Sequence, residues 1–348
     1  MIKKIDKFKR ILIVEVNWLG DVLFSTAAIK AIKEKYPNSF LACMVVKRCS
    51  EILENNPSID EVIVFDEKNS HRSFLSKVKF IVFLRKKNFD TVFLFHRSFT
   101  RALICYLAGI KRSVGYYRKK VRFLITDKVD PPTNDLHRAE YYINLINKVG
   151  IEAKHKKCEF FVDSKAMSMI ADLLVKAKIE RGTNYIVISP GGNWDLKRWP
   201  AENYVQLADR IMQELKYKII ISGAKKDIDL AQTINSKLKN KALILVGKTN
   251  LNELGALLKG ANVVVSADSG PMHLANALGT SVVAIFGPTS PQITGPYNIN
   301  VEHIILQKDV GCLVPCYEVN CTDNKCMKAI TVDEVFEAVK KILNNDKR

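Results

Sequence analysis

A group of polar residues directly follows an apolar run in the C-terminal half of the chain. Asn262 to Ala267 is rich in β-branched residues and predicts a buried strand, and Asp268 to Gly270 follow at once. Pro271 suits the first turn of a helix that would end at Gly279. Backbone N–H groups at a helix start attract phosphate. We therefore predict a binding site for a phosphorylated ligand, formed by Asp268, Ser269, Gly270 and His273. The alternative is a turn in which Asp268 and Ser269 only cap the helix.

A pair of cations lies beside a glycine turn in the same half of the chain. Lys197 and Arg198 follow Gly191-Gly192 closely and precede Pro200, which opens another predicted helix. Two cations near a glycine turn could bind the oxygens of a phosphate. The alternative is that both charges are solvated and that Trp199 belongs to the core.

One carboxylate stands at the corresponding point near the N-terminus. Asp21 follows Gly20 between the predicted strand Ile11 to Val16 and the predicted helix Val22 to Lys35. A carboxylate there would stabilise the helix start electrostatically. It could equally serve as a general base at the end of the strand.

Half of the eight cysteines are clustered late in the chain. Cys312, Cys316, Cys321 and Cys326 have the spacing C-x3-C-x4-C-x4-C, which contains no C-x2-C pair. Buried thiols in a compact loop are one interpretation, and a structural zinc ion is another. An iron–sulfur cluster is disfavoured, because the spacing matches none of the usual ones.

The elements that position these residues alternate between strands and helices. Tyr185 to Ser189 and Lys218 to Ser222 are further predicted strands, and short loops join them to helices. This alternation predicts a parallel, doubly wound α/β sheet. A length of 348 residues suggests two domains, which we place at 1–180 and 181–348. The last helix, Thr331 to Leu343, could pack back on the N-terminal domain. Two facing α/β domains would form a ligand-binding cleft between them.

The composition narrows the classes of function. The net charge of +18 suits nucleic acid, an anionic membrane surface or an anionic substrate. Lys111 to Lys128 is especially basic and is either a solvated loop or a face for such a partner. No apolar run is long enough for a membrane span, and the N-terminus does not have the pattern of a signal peptide, so we expect a cytoplasmic protein. Neither a P-loop nor a G-x-G-x-x-G motif after a first strand occurs, which disfavours nucleotide-triphosphate hydrolysis and dinucleotide cofactors.

Three stretches and the cysteine tail resemble those of glycosyltransferase family 9, the ADP-heptose:lipopolysaccharide heptosyltransferases. ILIVEVNWLGDVLFSTAAIKAI is similar to the family's opening strand, turn and helix. PGGNWDLKRWPAENY is similar to its phosphate motif, and SADSGPMHLANALGTSVVAIFGPTSP to its most specific signature. The tail CLVPC…C…CMKAIT resembles in particular that of members labelled heptosyltransferase II. The resemblance covers nearly the whole chain.

The resemblance implies a GT-B fold, with two Rossmann-like domains facing across a cleft. It implies an inverting, metal-independent transfer of heptose from ADP-heptose to the inner core of lipopolysaccharide, with no cofactor. The first domain would bind the acceptor and the second the nucleotide sugar. Asp21 matches the family's proposed base. The donor-binding residues would be Gly192, Asn193, Lys197, Gly223, Thr249, Asp268, Ser269, Gly270 and His273. On the acceptor side the candidates are Asn17, Trp18, Arg118 and Lys119.

The chain departs from the family at one point. The family often has an acidic residue just after the glycine that follows Ser222, where it is thought to bind the ribose of the donor. This chain has Gly223-Ala224-Lys225-Lys226, and its first acid is Asp227. Two alternatives therefore stay open: a transferase of the same family with another nucleotide-diphospho-sugar, and a metal-binding protein built on the cysteines. For the heptosyltransferase we expect peripheral contact with the anionic inner face of the inner membrane and no nucleic acid partner.

Overall fold

A computed structural model of the chain describes residues 8–180, 182–316, 318 and 320–345. The contacts divide the chain into two compact units, Met1–Phe160 and Phe161–Arg348. In the described part of the chain, no helix combines the length and the apolar character needed to cross a membrane.

The first unit contains a six-stranded parallel sheet in the order β3-β2-β1-β4-β5-β6. Its strands are β1 (Arg10–Val14), β2 (Phe40–Val45), β3 (Glu61–Val64), β4 (Thr91–Leu94), β5 (Arg112–Tyr116) and β6 (Asp127–Val129). β1, β2 and β4 are almost entirely buried, as their uninterrupted apolar sequences require in a sheet with both faces covered. The order reverses direction between β1 and β4, and this is the place where doubly wound sheets bind ligands.

The helices of the first unit are α1 (Leu19–Lys35), α2 (Phe74–Lys86), α3 (Phe99–Leu107) and α4 (Arg138–Asn147). α1 packs against α4, and α2 packs against α3. Ser73 and Ser98 begin α2 and α3, because the hydroxyl of each accepts an otherwise unpaired N–H of the first turn. A 3₁₀ turn, Lys119–Val121, lies against α3.

The second unit repeats the topology of the first. Its strands are β7 (Tyr185–Ser189), β8 (Lys218–Ile221), β9 (Leu243–Ile244), β10 (Val263–Ala267), β11 (Val282–Phe286) and β12 (His303–Gln307). They form a parallel sheet in the order β12-β11-β10-β7-β8-β9, which is the same strand order as in the first unit. The reversal here lies between β7 and β10.

The helices of the second unit are α5 (Ser164–Lys176), α6 (Ala201–Arg210), α7 (Ile228–Lys237), α8 (Leu251–Lys259), α9 (Gly270–Leu278), α10 (Pro291–Thr294), α11 (Lys325–Lys328) and α12 (Val332–Asn345). α9 ends at Gly279, whose φ of 87° is the left-handed conformation that glycine adopts without strain. Thr331 and Glu334 form a capping box at the start of the last helix.

The α/β class and the doubly wound sheets agree with the prediction, but three details differ. The boundary between the units precedes α5, twenty residues before the predicted one, because α5 packs against α8. The last helix packs on α6 and on the strands of its own unit. β5, β6 and β12 were not predicted. β5 and β6 lie in the basic segment, and β12 is only half-buried, so its sequence has no run typical of a buried strand.

Candidate active site

The predicted phosphate site lies at the reversal point of the second sheet. β7 and β10 are adjacent and parallel, so the loops that follow them emerge at the same edge. The glycine turn and Lys197 follow β7, and Asp268 follows β10 directly. The structure brings together the two groups that the sequence identified separately.

Lys197 and Asp268 form the central contact of this site. The Lys197 Nζ lies 2.7 Å from Asp268 Oδ2, and the side chain of Asp268 is 4% exposed. His273 Nε2 lies 3.5 Å from the other carboxylate oxygen. Burial alone would raise the pKa of Asp268, but the hydrogen bond and charge of His273 and the charge of Lys197 outweigh it and hold that pKa below its ordinary value. Asp268 is therefore an ionised group that fixes the position of the lysine.

The start of α9 adds donors beside this ion pair. Ser269 is the N-cap residue and Gly270 the first residue of the helix. The Ser269 hydroxyl contacts the Ser266 hydroxyl at 2.9 Å and makes no capping hydrogen bond. The explanation of Ser269 as a side-chain cap is therefore wrong. The N–H groups of Met272 and His273 donate to the Ser269 carbonyl, and Pro271 has none, so an anion at the helix start could accept the N–H of Gly270.

Lys226 is a cation of this site that the sequence analysis did not select. Its Nζ donates to the carbonyl of Gly192 at 2.7 Å and lies 3.1 Å from Asn193 Oδ1. It reaches them because β8, which precedes it, is adjacent to β7. In the sequence, Lys225 and Lys226 stood out only because an acid is often found near this position in the family. The structure shows that Lys226 borders the predicted donor residues Gly192 and Asn193.

Asp227, the first acid after Gly223, is held by contacts within the protein. It is buried, it accepts the N–H of Ala224 at 3.1 Å, and Arg198 Nη2 lies 3.1 Å from it. A Cβ at Gly191 would lie only 2.3 Å from the Asp227 carboxyl carbon, so this position requires glycine. Arg198, the second predicted phosphate-binding cation, is thus engaged with Asp227 and with Asp195. Thr249 lies apart from this group, half-buried in the loop between β9 and α8.

Asp21 lies in the first turn of α1, after β1, at the reversal point of the first sheet. Its side chain is 26% exposed, and Arg138 Nε lies 4.0 Å from its Oδ1. The residue before the helix, Trp18, supplies no side-chain cap. The position suits both the helix-start role and the base role, because the carboxylate is solvent-accessible and near a cation.

Asn17 and His96 meet at this reversal point, in the loops that follow the adjacent strands β1 and β4. Asn17 Nδ2 lies 3.0 Å from His96 Nε2, and Asn17 Oδ1 accepts from Arg101 Nη2 at 2.7 Å. His96 Nδ1 accepts the N–H of Ser98 at 2.9 Å. Burial, followed by the charges of Arg101 and Arg118, lowers the pKa of His96 to about 4, so the ring is neutral at pH 7. Asn17 was among the predicted acceptor-side residues and His96 was not, although His96 lies only two residues after β4.

The remaining acceptor-side candidates differ in their surroundings. Trp18 is exposed, and the Arg48 guanidinium lies 5.0 Å from the centre of its ring. Arg118 donates to the carbonyl of Arg97, which in turn contacts Tyr141. Lys119 is exposed at the start of the 3₁₀ turn. Arg97 is another residue that the sequence analysis did not select.

Glu15 is a fully buried carboxyl directly below this turn. Burial, its largest influence, raises its pKa to about 8, although the Ser25 hydroxyl donates to it at 3.0 Å. Arg101 Nη1 donates to the backbone carbonyl of Glu15 at 2.7 Å. Glu15 is therefore protonated at neutral pH and supports the turn rather than binding a ligand.

The cysteines of the tail line a cavity of about 360 Å³. A zinc site would need sulfur atoms about 2.3 Å from one ion. Within the described residues, however, no three histidine, cysteine, aspartate or glutamate side chains form a group that could hold a metal ion. The structural-zinc interpretation of Cys312, Cys316, Cys321 and Cys326 is therefore not supported.

Comparisons with known proteins agree with this geometry. Residues 78–325 match the model of glycosyltransferase family 9 (heptosyltransferase). Lipopolysaccharide heptosyltransferase 2 of Escherichia coli K12 is 26% identical over 82% of this chain and 85% of its own. A family 9 glycosyltransferase from Veillonella parvula superposes with a TM-score of 0.88 at 23% identity over 98% of both chains. The E. coli ADP-heptose heptosyltransferase II superposes with a TM-score of 0.81 at 24% identity over 97% of this chain and 100% of its own. The fold is thus that of the GT-B heptosyltransferases.

Proposed function

The chain belongs to glycosyltransferase family 9, and from this membership we propose that it is a heptosyltransferase of lipopolysaccharide core biosynthesis. The similarity to curated heptosyltransferases over most of the chain supports this activity. The observation that carries the proposal is the ion pair between Lys197 and the buried Asp268, next to the start of α9, where β7 and β10 end. With Lys226 close by, the site offers two lysines and the start of a helix, a combination that suits a sugar diphosphate.

The donor in this proposal is ADP-heptose, bound by the second unit. Lys197, Lys226 and the N-terminus of α9 would bind the diphosphate, with Gly192, Asn193 and Gly223 as the backbone around it. Gly192 is buried, and its carbonyl accepts from Lys226 at 2.7 Å. Thr249 would lie at the adenine. One protein with a similar structure is the E. coli ADP-heptose heptosyltransferase II, which agrees with this choice.

The transfer would be a direct displacement with inversion. The acceptor oxygen forms a bond to the anomeric carbon of the heptose while the bond from that carbon to the diphosphate oxygen breaks, and ADP leaves. Asp21 would take the proton of the attacking hydroxyl. Lys197 and the start of α9 would stabilise the charge that develops on the leaving diphosphate.

We expect the reaction to need no metal ion, because the protein supplies positive charge at the diphosphate. The test is transfer activity after exhaustive EDTA treatment, with and without added Mg²⁺ or Mn²⁺. Full activity in EDTA is the expected result. Activity that EDTA abolishes and Mg²⁺ or Mn²⁺ restores would overturn metal independence.

The acceptor would be the inner core of lipopolysaccharide, which carries carboxylates and phosphates. Asn17 and Trp18 would contact it at the turn that holds Asp21, and Arg118 and Lys119 would contribute charge. Because such an acceptor is anchored in lipid, the enzyme would work at the cytoplasmic face of the inner membrane, in peripheral contact with anionic lipid and without a nucleic acid partner.

One observation favours a second candidate function, transfer from a different nucleotide-diphospho-sugar. Lys226, and not an acid, borders Gly192 and Asn193 in this chain. The deciding experiment is a donor screen with a Kdo–lipid A acceptor, scored by the mass of the product. A mass increase of one heptose from ADP-heptose alone supports the first proposal. Transfer from another donor only would select the second.

A further inference from the structure

The outward face of α2 is apolar and has no covering element in the described chain. Phe74 and Leu75 are 79% and 72% exposed, and Val78 and Val82 continue the same face one and two turns later. The opposite face holds Phe80 and Leu84, which are buried in the core of the first unit. The helix is therefore apolar on both sides, which is unusual for a helix at a water-exposed surface.

α3 presents a second exposed apolar face next to the first. Phe99, Tyr106 and Leu107 are 44%, 58% and 43% exposed and share one side of the helix. Phe123, 66% exposed, extends this side, because its ring lies 6.3 Å from that of Phe99.

These faces form one continuous surface. α2 packs against α3, and Arg85 Nη2 donates to the carbonyl of Leu107 at 2.7 Å, which ties the ends of the two helices together. The 3₁₀ turn Lys119–Val121 lies against α3 on the side of Phe123. We call the exposed side chains of α2, α3 and residues 118–123 the basic apolar surface.

The charge of this surface has a single sign. Residues 68–126 contain fifteen lysines and arginines and a single acid, Asp90. Asp90 accepts the N–H groups of Lys9 and Arg10 before β1, so it belongs to the sheet end. Lys79 and Lys86 stand exposed among the apolar residues of α2, and Lys120 and Arg122 stand beside Phe123.

Exposed apolar side chains mixed with cations match the interface of an anionic bilayer. The apolar groups can enter the boundary between headgroups and acyl chains while the cations contact lipid phosphates. A second copy of the chain would place cations against cations. A nucleic acid would neutralise the charge but would leave the aliphatic face of α2 in water, because stacking on bases needs aromatic rings.

We propose that the basic apolar surface is the membrane-docking surface of this protein and that its partner is an anionic phospholipid bilayer. The assignment rests on the proposed function in one respect only: an enzyme with a lipid-anchored acceptor must work at the membrane. The surface itself follows from exposure and charge.

The test is flotation of the purified full-length chain with vesicles, without donor or acceptor. Vesicles of phosphatidylcholine with one-third phosphatidylglycerol should bind the protein, and pure phosphatidylcholine should bind it at least tenfold more weakly. Raising the salt concentration should weaken binding, because exposed charges are screened.

Matched substitutions locate the surface. Leu75→Glu should lower binding at least tenfold, and a glutamate in the first turn of a helix is well tolerated. Ile299→Glu, at an 87% exposed isoleucine elsewhere, makes the same change and should bind like the wild type. Lys79→Glu with Lys86→Glu should lower binding at least tenfold, whereas Lys259→Glu with Lys239→Glu should lower it much less. Circular dichroism and melting temperature would establish that each variant is folded.

The proposal fails if the wild type does not float with anionic vesicles, or if the paired variants lose binding equally. Tight binding to a single-stranded oligonucleotide, with no vesicle binding, would mean that the partner is a nucleic acid and not a bilayer. A concentration-dependent dimer that Leu75→Glu dissociates, with no vesicle binding, would mean that the partner is a second copy of the chain.

Turnover of a deacylated, water-soluble acceptor tests the proposed function separately. Leu75→Glu should retain that turnover if both proposals hold, and a wild type that floats but transfers nothing would refute only the function.

Discussion

Glu15→Gln should change how the stability of this protein depends on pH. The side chain is fully buried, and its pKa is raised from 4.5 to about 8, chiefly by burial. A carboxyl whose pKa is raised on folding stabilises the protein below its unfolded pKa, and this contribution is lost as pH rises. Between pH 4.5 and about 8 the native state keeps the proton that the unfolded chain releases. The wild type should therefore lose stability with a slope of about 1.4 kcal/mol per pH unit from this group.

The free energy of unfolding of the wild type minus that of Glu15→Gln isolates this contribution from the titration of all other groups. Over the whole interval it amounts to about 5 kcal/mol, from a shift of about 3.5 pKa units. Glutamine keeps the oxygen that accepts from Ser25 and replaces the protonated oxygen with an amide, so the fold should persist. Urea unfolding of both proteins at pH 5, 6, 7 and 8 would measure it. Glu34→Gln, an exposed change on α1, serves as the control. Parallel stability curves for wild type and Glu15→Gln would refute the argument.

The other predictions concern the candidate active site. Asp21→Asn should reduce turnover by roughly 10²–10⁴-fold if Asp21 is the base, with ADP affinity nearly unchanged; a folded variant within about threefold of wild-type turnover would leave only the helix-start role, which is worth about 0.3–1 kcal/mol. Lys197→Ala should weaken ADP binding in calorimetry by about 1.5–3 kcal/mol, and an unchanged dissociation constant would remove this lysine from the site. Lys226→Ala should weaken ADP binding in the same direction, whereas Lys225→Ala should not; equal effects would mean that the contact with Gly192 does not matter.

The residues around β10 and α9 were predictable because they are neighbours in sequence. An apolar run, a polar turn, a proline and a stopping glycine fix a strand, a helix start and a helix end locally, and Asp268 must then lie at the strand end. The pairing of Asp268 with Lys197 depends instead on β7 lying next to β10, which is a contact over 71 residues. The two motifs predicted that both groups bind phosphate, but only the topology shows that they touch.

The residues that the sequence analysis missed share a different cause. Arg101 and Glu15 are both buried, and their residue types do not indicate this, because charged side chains are rarely fully buried unless they are paired. Arg101 can be buried because Asn17, the Glu15 carbonyl and Glu67 all accept from it. Lys226 looked like an ordinary exposed lysine after β8. Its role follows from a hydrogen bond to a turn that comes 34 residues earlier.

The two units have the same strand order, but the electrostatics at their reversal points differ. Between β7 and β10 a buried carboxylate stays ionised, since Lys197 and His273 lower its pKa, and the site collects fixed charges. Between β1 and β4 the Glu15 carboxyl and the His96 ring are neutral at pH 7, since burial raises the pKa of Glu15 to about 8 and lowers that of His96 to about 4, while the buried guanidinium of Arg101 keeps its charge. Asp21 is a partly exposed carboxylate at this turn, close enough to Arg138 for electrostatic attraction. After β7 and β8 the cations Lys197 and Lys226 could bind a diphosphate, and after β1 the accessible carboxylate of Asp21 could take up one proton. This contrast agrees with the proposed division of work, in which the second unit binds the leaving diphosphate and Asp21 is the base.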